Sequence, residues 1–210
     1  MKLRLFDYWR SSASYRVRLA LALKGVAYER AAVNLVAAEQ LDAANRARNP
    51  QGQVPTLEVD GAPIIQSLAI IDWIDATYPN PRLIPTDPFQ RARALAQALV
   101  IAADTHPIDN MRVVKRLGTQ FGADQAAKDD WYRHWIATGF AALEAMAGDG
   151  KFLGGDAPNI ADLCLVPQMY NARRFALPLD GYPRLVEIDA ALTAIPALSA
   201  AHPDAVKPAG

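Results

Sequence analysis

The sequence of 210 residues has very little cysteine, since Cys164 is the only one. A single cysteine excludes an internal disulfide framework and fits a reducing compartment. The chain also lacks an apolar run near the roughly 18 residues that a membrane-spanning helix needs, and it lacks a basic segment followed by an apolar run, the pattern of a secretion signal. We therefore expect a soluble, cytoplasmic protein with no membrane partner.

An excess of charge of one sign is missing as well, because 22 basic residues balance 22 acidic ones. Such a balance argues against nucleic acid or an anionic membrane surface as a partner. No cluster of His, Cys, Asp and Glu has the spacing of metal ligands, so we expect no metal site. Local groups of arginine, at Arg10, Arg16 and Arg18 and again at Arg173 and Arg174, instead indicate local anion sites.

The first 80 residues carry the pattern of a small α/β domain. Residues 2–8 alternate as a strand does, a helical pattern follows up to Gly25, and residues 28–35 read as a second strand. An Asp60-Gly61 turn joins two short strands between residues 56 and 65 into a hairpin, and a helix then begins at Ser67 and ends before Pro79. The order β-α-β, then β-β-α, is typical of a thioredoxin-like domain, which we place at residues 1–80.

The remainder of the chain is predicted to be all helical. Four prolines between residues 79 and 88 disfavour regular structure, so we assign residues 81–88 to a stiff linker and residues 89–210 to a helical domain. The predicted helices cover 89–117, interrupted at His106-Pro107, then 124–146, a helix that begins at Asn159, and 182–195. Asn159 with Asp162 three residues later resembles a capping box.

Three serines, Ser11, Ser12 and Ser14, lie where the first strand ends and the first helix begins. The unpaired N–H groups and the positive dipole end at such a place favour a bound anion. If that anion is a thiolate, the same field lowers its pKa and produces a nucleophile near neutral pH. The alternative is that these serines only cap the helix.

Two further features point to an extended peptide as the ligand. The Val54-Pro55 bond precedes a strand, and if it is cis it turns the main-chain groups of Val54 outward, where a peptide can pair with them. Gln66-Ser67 begins the next helix, where Ser67 is the natural N-cap and where a carboxylate can bind the hydroxyl and the first N–H groups. Together with the first helix, these features predict a peptide-binding edge.

The sequence resembles the zeta class of the glutathione transferase family over essentially its full length. The resemblance rests on Ser11-Ser12-Ala13-Ser14 followed by Tyr15-Arg16-Val17-Arg18, on Asn49-Pro50, on Gln53-Val54-Pro55, on Gln66 to Ile71, and on Leu165-Val166-Pro167-Gln168 running to Arg174-Phe175. It implies a thioredoxin-like domain joined to a helical domain, a homodimer, and glutathione as the cofactor.

The resemblance also implies roles for individual residues. Ser11 and Ser12 would lie near the glutathione sulfur, and Arg10, Arg112 and Arg174 would form a basic lining for a small acidic substrate. The residues implied to bind glutathione are Gln40, Gln53, Val54, Pro55, Gln66, Ser67, His106, Asn110 and Arg112. The alternatives are a helix-bend residue for His106 and solvated charges for Arg10 and Arg174.

For the activity, the resemblance implies glutathione-dependent cis–trans isomerisation of maleylacetoacetate or maleylpyruvate by reversible thiolate addition, in the breakdown of aromatic compounds. Alternatives are a glutathione transferase that conjugates or dehalogenates small electrophiles, and a non-catalytic interaction module.

Two departures from the family pattern bear on the choice between these activities. Ala13 replaces the usual Cys or Thr, so thiolate stabilisation depends more on Ser11, Ser12 and the helix dipole, and Met111 replaces an arginine of maleylpyruvate isomerase.

Overall fold

A computed structural model describes residues 1–208 as two compact units. The first unit contains Met1–Leu83 together with the chain from Ala194 onward, and the second contains Ile84–Thr193. The segment after Ala194, which the sequence analysis assigns to the helical domain, thus belongs with the sheet. In the described part of the chain no helix is long and apolar enough to cross a membrane.

The first unit is built on a four-stranded mixed sheet in the order β2-β1-β3-β4. The strands are β1 (Leu3–Asp7), β2 (Glu29–Ala32), β3 (Thr56–Val59) and β4 (Ala62–Ile65). β1 pairs in parallel with β2 and antiparallel with β3, and β3 pairs antiparallel with β4. The hairpin is confirmed: Asp60 and Gly61 have φ values of 48° and 87°, the positive values that a two-residue turn of this kind requires.

The helices of the first unit are α1 (Ser12–Leu23), α2 (Ala43–Arg48), α3 (Ser67–Thr77), α9 (Pro196–Ser199) and α10 (Pro203–Val206), with a 3₁₀ turn at Glu39–Leu41. α1 contacts α3 and α9. Fully buried apolar side chains join α1 and α3 to the sheet: Leu5, Val17, Leu19, Leu57, Ile70, Ile71 and Ile74. The predicted order β-α-β-β-β-α is confirmed, although β2 is shorter than the predicted residues 28–35.

A buried ion pair also connects the end of α1 with α3, and a second pair connects α3 with the chain that follows it. Lys24 Nζ lies 2.6 Å from Asp75 Oδ1, and Arg82 Nη1 lies 3.2 Å from Asp75 Oδ2. Burial on its own would raise the pKa of Asp75, but Lys24, the Leu83 N–H and Arg82 outweigh it, so that the pKa lies below its usual value. The carboxylate therefore stays charged and holds these segments together.

The second unit consists of α4 (Pro88–Leu99), α5 (Met111–Phe121), α6 (Gln125–Met146), α7 (Ile160–Arg174) and α8 (Pro183–Thr193). The helical pattern predicted over residues 89–117, with its interruption at His106-Pro107, is confirmed, although the structure divides it into two helices. α4 passes into a π-helical stretch over Val100–Thr105, where the His106 N–H donates to the Ile101 carbonyl at 2.8 Å, and α5 begins after a turn.

The predicted capping box of α7 is present. Asp162 accepts from the N–H groups of Leu153, Gly154 and Asn159 at 2.8, 3.0 and 2.8 Å. Burial raises the pKa of Asp162 to about 6, because the three N–H donors only partly replace the lost water. This carboxylate fixes the loop after α6 to the start of α7.

Candidate active site

Three segments meet at one edge of the sheet in the first unit. The register pairs Phe6 of β1 with Thr56 of β3, and Thr56 with Ile65 of β4. The carboxyl ends of β1 and β4 and the amino end of β3 therefore lie side by side. Consequently the amino end of α1, the Val54-Pro55 bond and the amino end of α3 lie at the same edge, as the sequence predicted.

Ser11 is the N-cap of α1. Its Oγ accepts from the Ser14 N–H at 3.2 Å, so the capping alternative is correct for this serine. A hydroxyl also has a hydrogen to donate, which capping does not use. Ser11 is partly exposed, whereas Ser12, the first residue of the helix, is buried. The cap thus leaves the Ser11 O–H available for an anion at the helix terminus.

The Val54-Pro55 peptide bond is cis. The loop before it is organised by Asn49, which is 2% exposed: its Nδ2 donates to the Gln53 carbonyl at 3.0 Å, and its Oδ1 accepts from the Gln51 N–H at 3.0 Å. Among residues 1–208 no hydrogen bond ends on the main chain of Val54, which is half-buried. The main-chain groups of Val54 are thus free to pair with a ligand.

Gln66, and not Ser67, is the N-cap of α3, so the predicted capping role of Ser67 is wrong. Gln66 has a φ of 69° and a ψ of 117°, a conformation that costs a non-glycine residue roughly 1–3 kcal/mol. Its Nε2 donates to Gln51 Oε1 at 2.7 Å. The Ser67 hydroxyl is buried and accepts from Arg16 Nη1 of α1 at 3.3 Å. This arrangement directs Ser67 towards α1 at the same edge.

The other residues of this unit that were predicted to bind ligands make fewer contacts within the protein. Arg10 is exposed, with its guanidinium 5.3 Å from the centre of the Trp9 ring. Gln40 lies in the 3₁₀ turn, and its buried Oε1 has no hydrogen-bond partner within residues 1–208. Gln53 is partly exposed beside Val54.

In the second unit, four predicted residues lie around the π-helical stretch and the end of α7. His106 follows that stretch and is partly buried, and Asn110 is the N-cap of α5, accepting from the Arg112 N–H at 3.1 Å. Arg112 is exposed. Arg174 is exposed at the carboxyl end of α7, where its Nη1 donates to Asn171 Oδ1 at 3.1 Å.

The roles of Arg16, Asn49 and Gln51, whose hydrogen bonds organise the edge, were not predicted from the sequence. The position of Arg16 could have predicted a buried partner, because a charged residue in the apolar stretch of a buried helix needs one. No feature of the sequence indicates the hydrogen bond between Gln51 and Gln66. In the part of the chain that the structure describes, no group of His, Cys, Asp and Glu is arranged to hold a metal ion.

Comparison with known proteins gives concordant results. Residues 1–76 match the family described as the glutathione S-transferase N-terminal domain. The chain is 46% identical over 207 residues to maleylacetoacetate isomerase of Rhizobium meliloti, covering 97% of each chain. It is also 43% identical to a solved maleylpyruvate isomerase, described as a bacterial zeta-class glutathione S-transferase, with a TM-score of 0.95 and coverage of 99% and 100%.

A third relative has been solved with ligands. Maleylacetoacetate isomerase of Anaeromyxobacter dehalogenans 2CP-1 is 47% identical, with a TM-score of 0.89 and coverage of 100% and 98%, and holds glutathione in its active site. A second structure of that protein holds dicarboxyethyl glutathione and citrate there. These likenesses extend over both units, so this chain belongs to the zeta class of the glutathione transferase family, the class of the maleylacetoacetate and maleylpyruvate isomerases.

Proposed function

We propose that this protein is a glutathione-dependent cis–trans isomerase that acts on maleylacetoacetate or on maleylpyruvate. One observation carries the proposal: a capped helix terminus with an available Ser11 O–H lies at the same sheet edge as the cis Val54-Pro55 bond and the amino end of α3. The names of the relatives give the reaction.

The residues at this edge fit glutathione, an anionic tripeptide. Val54 offers main-chain groups for pairing with an extended peptide after the manner of an added strand. The amino end of α3, with Gln66 and Ser67, suits a carboxylate. Gln40 lies in the 3₁₀ turn and Gln53 in the loop before β3, and each has an amide to offer a second carboxylate. We propose these residues and Pro55 as the glutathione site.

When bound, glutathione would supply a thiolate that adds reversibly to the substrate's cis double bond and so permits rotation. Ser11 would donate its hydroxyl hydrogen to the sulfur and favour the ionised form, assisted by the dipole of α1. Ser12 would complete the helix terminus. Removing a donor of this kind typically costs about 10²–10³ in rate.

We further propose a small acidic substrate. Arg10 in the first unit and Arg174 in the second are exposed, and a guanidinium suits a carboxylate because its planar fork matches the two oxygens. His106, Asn110 and Arg112 remain predictions for contacts of the second unit with ligands. The dicarboxyethyl glutathione and citrate in the Anaeromyxobacter relative support a dicarboxylate-like substrate for that protein, and we extend this to the present chain.

The setting of the activity is also part of the proposal. We propose a cytoplasmic homodimer that acts in the breakdown of aromatic compounds. The free cysteine fits a reducing compartment, and the exposed Phe89 and Phe121 of the second unit offer apolar surface for a subunit contact. Sedimentation of the purified protein tests the subunit number.

The experiment that tests the activity compares two assays on the same preparation. Isomerisation of maleylacetone and of maleylpyruvate is measured with and without glutathione, beside conjugation of glutathione to chlorodinitrobenzene. We expect isomerisation that depends on glutathione and exceeds conjugation by a large factor. Conjugation without isomerisation would favour the transferase alternative, and a protein that neither binds glutathione nor acts in either assay would be an interaction module.

A further inference from the structure

Two arginines of α1 are equally buried but are paired very differently. Arg18 is fully buried, and its Nη1, Nη2 and Nε donate to Asp7 Oδ2, the Trp9 carbonyl and the Ala201 carbonyl at 2.7, 2.8 and 3.0 Å. Arg16 is 2% exposed and makes one hydrogen bond, from Nη1 to Ser67 Oγ at 3.3 Å. Its Nε and Nη2 are buried without a partner among residues 1–208.

The charge of Arg16 is therefore uncompensated in the protein alone. No carboxylate of the described residues pairs with it, and its one partner is a neutral hydroxyl. Burying a guanidinium without a counter-charge is costly, and such a group is retained where something else supplies the negative charge. Arg16 lies behind the amino end of α3, an 11-residue helix.

We propose that Arg16 is the buried counter-charge for the γ-glutamyl carboxylate of glutathione bound at the amino end of α3. This inference rests on the proposed function. Arg16 is a positioning residue, because its unpaired nitrogens are enclosed and the carboxylate would contact Ser67.

The hydrogen bond from Arg16 explains how Ser67 is oriented. Arg16 occupies one lone pair of Ser67 Oγ, so the hydroxyl hydrogen points elsewhere and can be donated to a carboxylate. The guanidinium adds its full charge to the partial positive charge at the amino end of α3. The subsite is therefore selective for a ligand with a negative charge at this point.

The test compares two ligands that differ only in the γ-glutamyl carboxylate: glutathione, and 4-aminobutyryl-cysteinylglycine, which lacks that group. Binding of each is measured by calorimetry to the wild type and to Arg16→Met, Arg16→Lys and Arg4→Met. Arg4 is a matched control, because its loss changes the net charge equally but it is exposed and paired with Glu29 at 3.1 Å.

We expect the wild type and Arg4→Met to prefer glutathione by about 10- to 100-fold. Arg16→Met should bind glutathione several-fold more weakly and should lose most of the preference, although Ser67 and the amino end of α3 remain. Arg16→Lys keeps the charge without the planar fork, and this variant should retain part of the preference for glutathione. Binding of the analogue should differ little between the four proteins.

Thermal unfolding without ligand separates this role from a structural one. Arg16→Met should unfold at the wild-type midpoint or above it, since an uncompensated buried charge is removed, whereas Arg18→Met should unfold at a clearly lower temperature. The inference is overturned if Arg16→Met keeps the preference for glutathione. It is also overturned if Arg16→Met loses stability as Arg18→Met does, because the loss of preference would then follow from damage to the fold. A wild type that does not bind glutathione at all would remove the proposed function itself, and this inference with it.

Discussion

At the scale of single residues, Ser11 shows that a serine can cap a helix and keep its hydroxyl hydrogen available to donate. Its oxygen accepts from the Ser14 N–H, which satisfies one of the free donors of α1. Its hydrogen stays available, because a hydroxyl accepts and donates at the same time. The sequence placed Ser11 at a helix terminus but could not show which of the three serines would cap it.

Two substitutions at Ser11 separate these functions. Ser11→Asp keeps a good N-cap acceptor but has no hydrogen to donate and adds a negative charge, so we expect a stable protein with isomerase kcat/KM reduced by about 10²–10³. Ser11→Thr keeps both functions and should stay within a few-fold of the wild type. Steady-state kinetics at fixed pH measures this, and a fully active Ser11→Asp would show that Ser11 serves only as a cap.

Ala13 makes a separate prediction about thiol reactivity. Cys164 is fully buried, so the wild-type protein should form no mixed disulfide when incubated with oxidised glutathione. Ala13 is partly exposed in the first turn of α1, and Ala13→Cys should therefore gain one glutathione per chain, because the helix dipole lowers the pKa of that thiol. Mass spectrometry of the intact protein counts the adducts. Modification of the wild type would contradict the burial of Cys164.

At the scale of elements, local patterns predicted the structure well and tertiary contacts account for the errors. The β3-β4 hairpin and the α7 cap depend on residues close in sequence, namely Asp60-Gly61 and Asn159 with Asp162. α3 begins at Ser67 as predicted, but its N-cap is Gln66. The Ser67 hydroxyl instead pairs with Arg16 of another helix, 51 residues away. His106-Pro107 marked the break in the helical pattern that starts at residue 89, but the π-helical geometry of Val100–Thr105 was not predicted.

The α7 cap gives a prediction about stability. Asp162→Asn places an amide among three N–H donors, and we expect a loss of about 1–3 kcal/mol at neutral pH. The pKa of Asp162 is raised to about 6, so the folded state binds its proton more tightly than the unfolded state. This group therefore stabilises the wild type most below pH 4, and its contribution declines as the pH rises from about 4 to about 6.

Urea unfolding of both proteins across that pH range measures the difference. The advantage of the wild type over Asp162→Asn should be largest at the acidic end and should shrink towards neutral pH. Asp156→Asn is a matched control, because Asp156 is an exposed aspartate in the loop before α7, and it should show no such trend. An advantage that grows with pH would mean that the three N–H donors outweigh burial.

At the scale of the whole molecule, the end of the chain completes the unit that carries the sheet. Arg18 of α1 donates to the Ala201 carbonyl, and Arg30 of β2 donates to the Val206 carbonyl. The same Arg18 holds the Trp9 carbonyl, two residues before Ser11. The contacts with Ala201 and Val206 span more than 170 positions. Local sequence patterns do not reveal contacts between residues so far apart, and for this reason the segment was assigned to the helical domain.

Removal of the residues after Ala200 should for this reason destabilise the sheet unit. The fully buried Arg18 donor left without the Ala201 carbonyl costs about 1–3 kcal/mol, and the partly buried Arg30 also loses the Val206 carbonyl. We expect a lower unfolding midpoint and weaker glutathione binding, because the loop before Ser11 loses its support. Ala205→Ser, which changes an exposed side chain of the same segment, should unfold as the wild type does. A truncated protein of wild-type stability would show that these hydrogen bonds contribute nothing.

The central claim is that the amino end of α1 holds the sulfur of glutathione in its ionised form. Titration of the bound thiol, followed by the ultraviolet absorbance of the thiolate, tests this most directly. We expect the pKa of the bound sulfur to fall below about 7.5, against about 8.5 for an ordinary thiol, and to rise again in Ser11→Asp. A bound sulfur that titrates as it does in free glutathione would contradict the account.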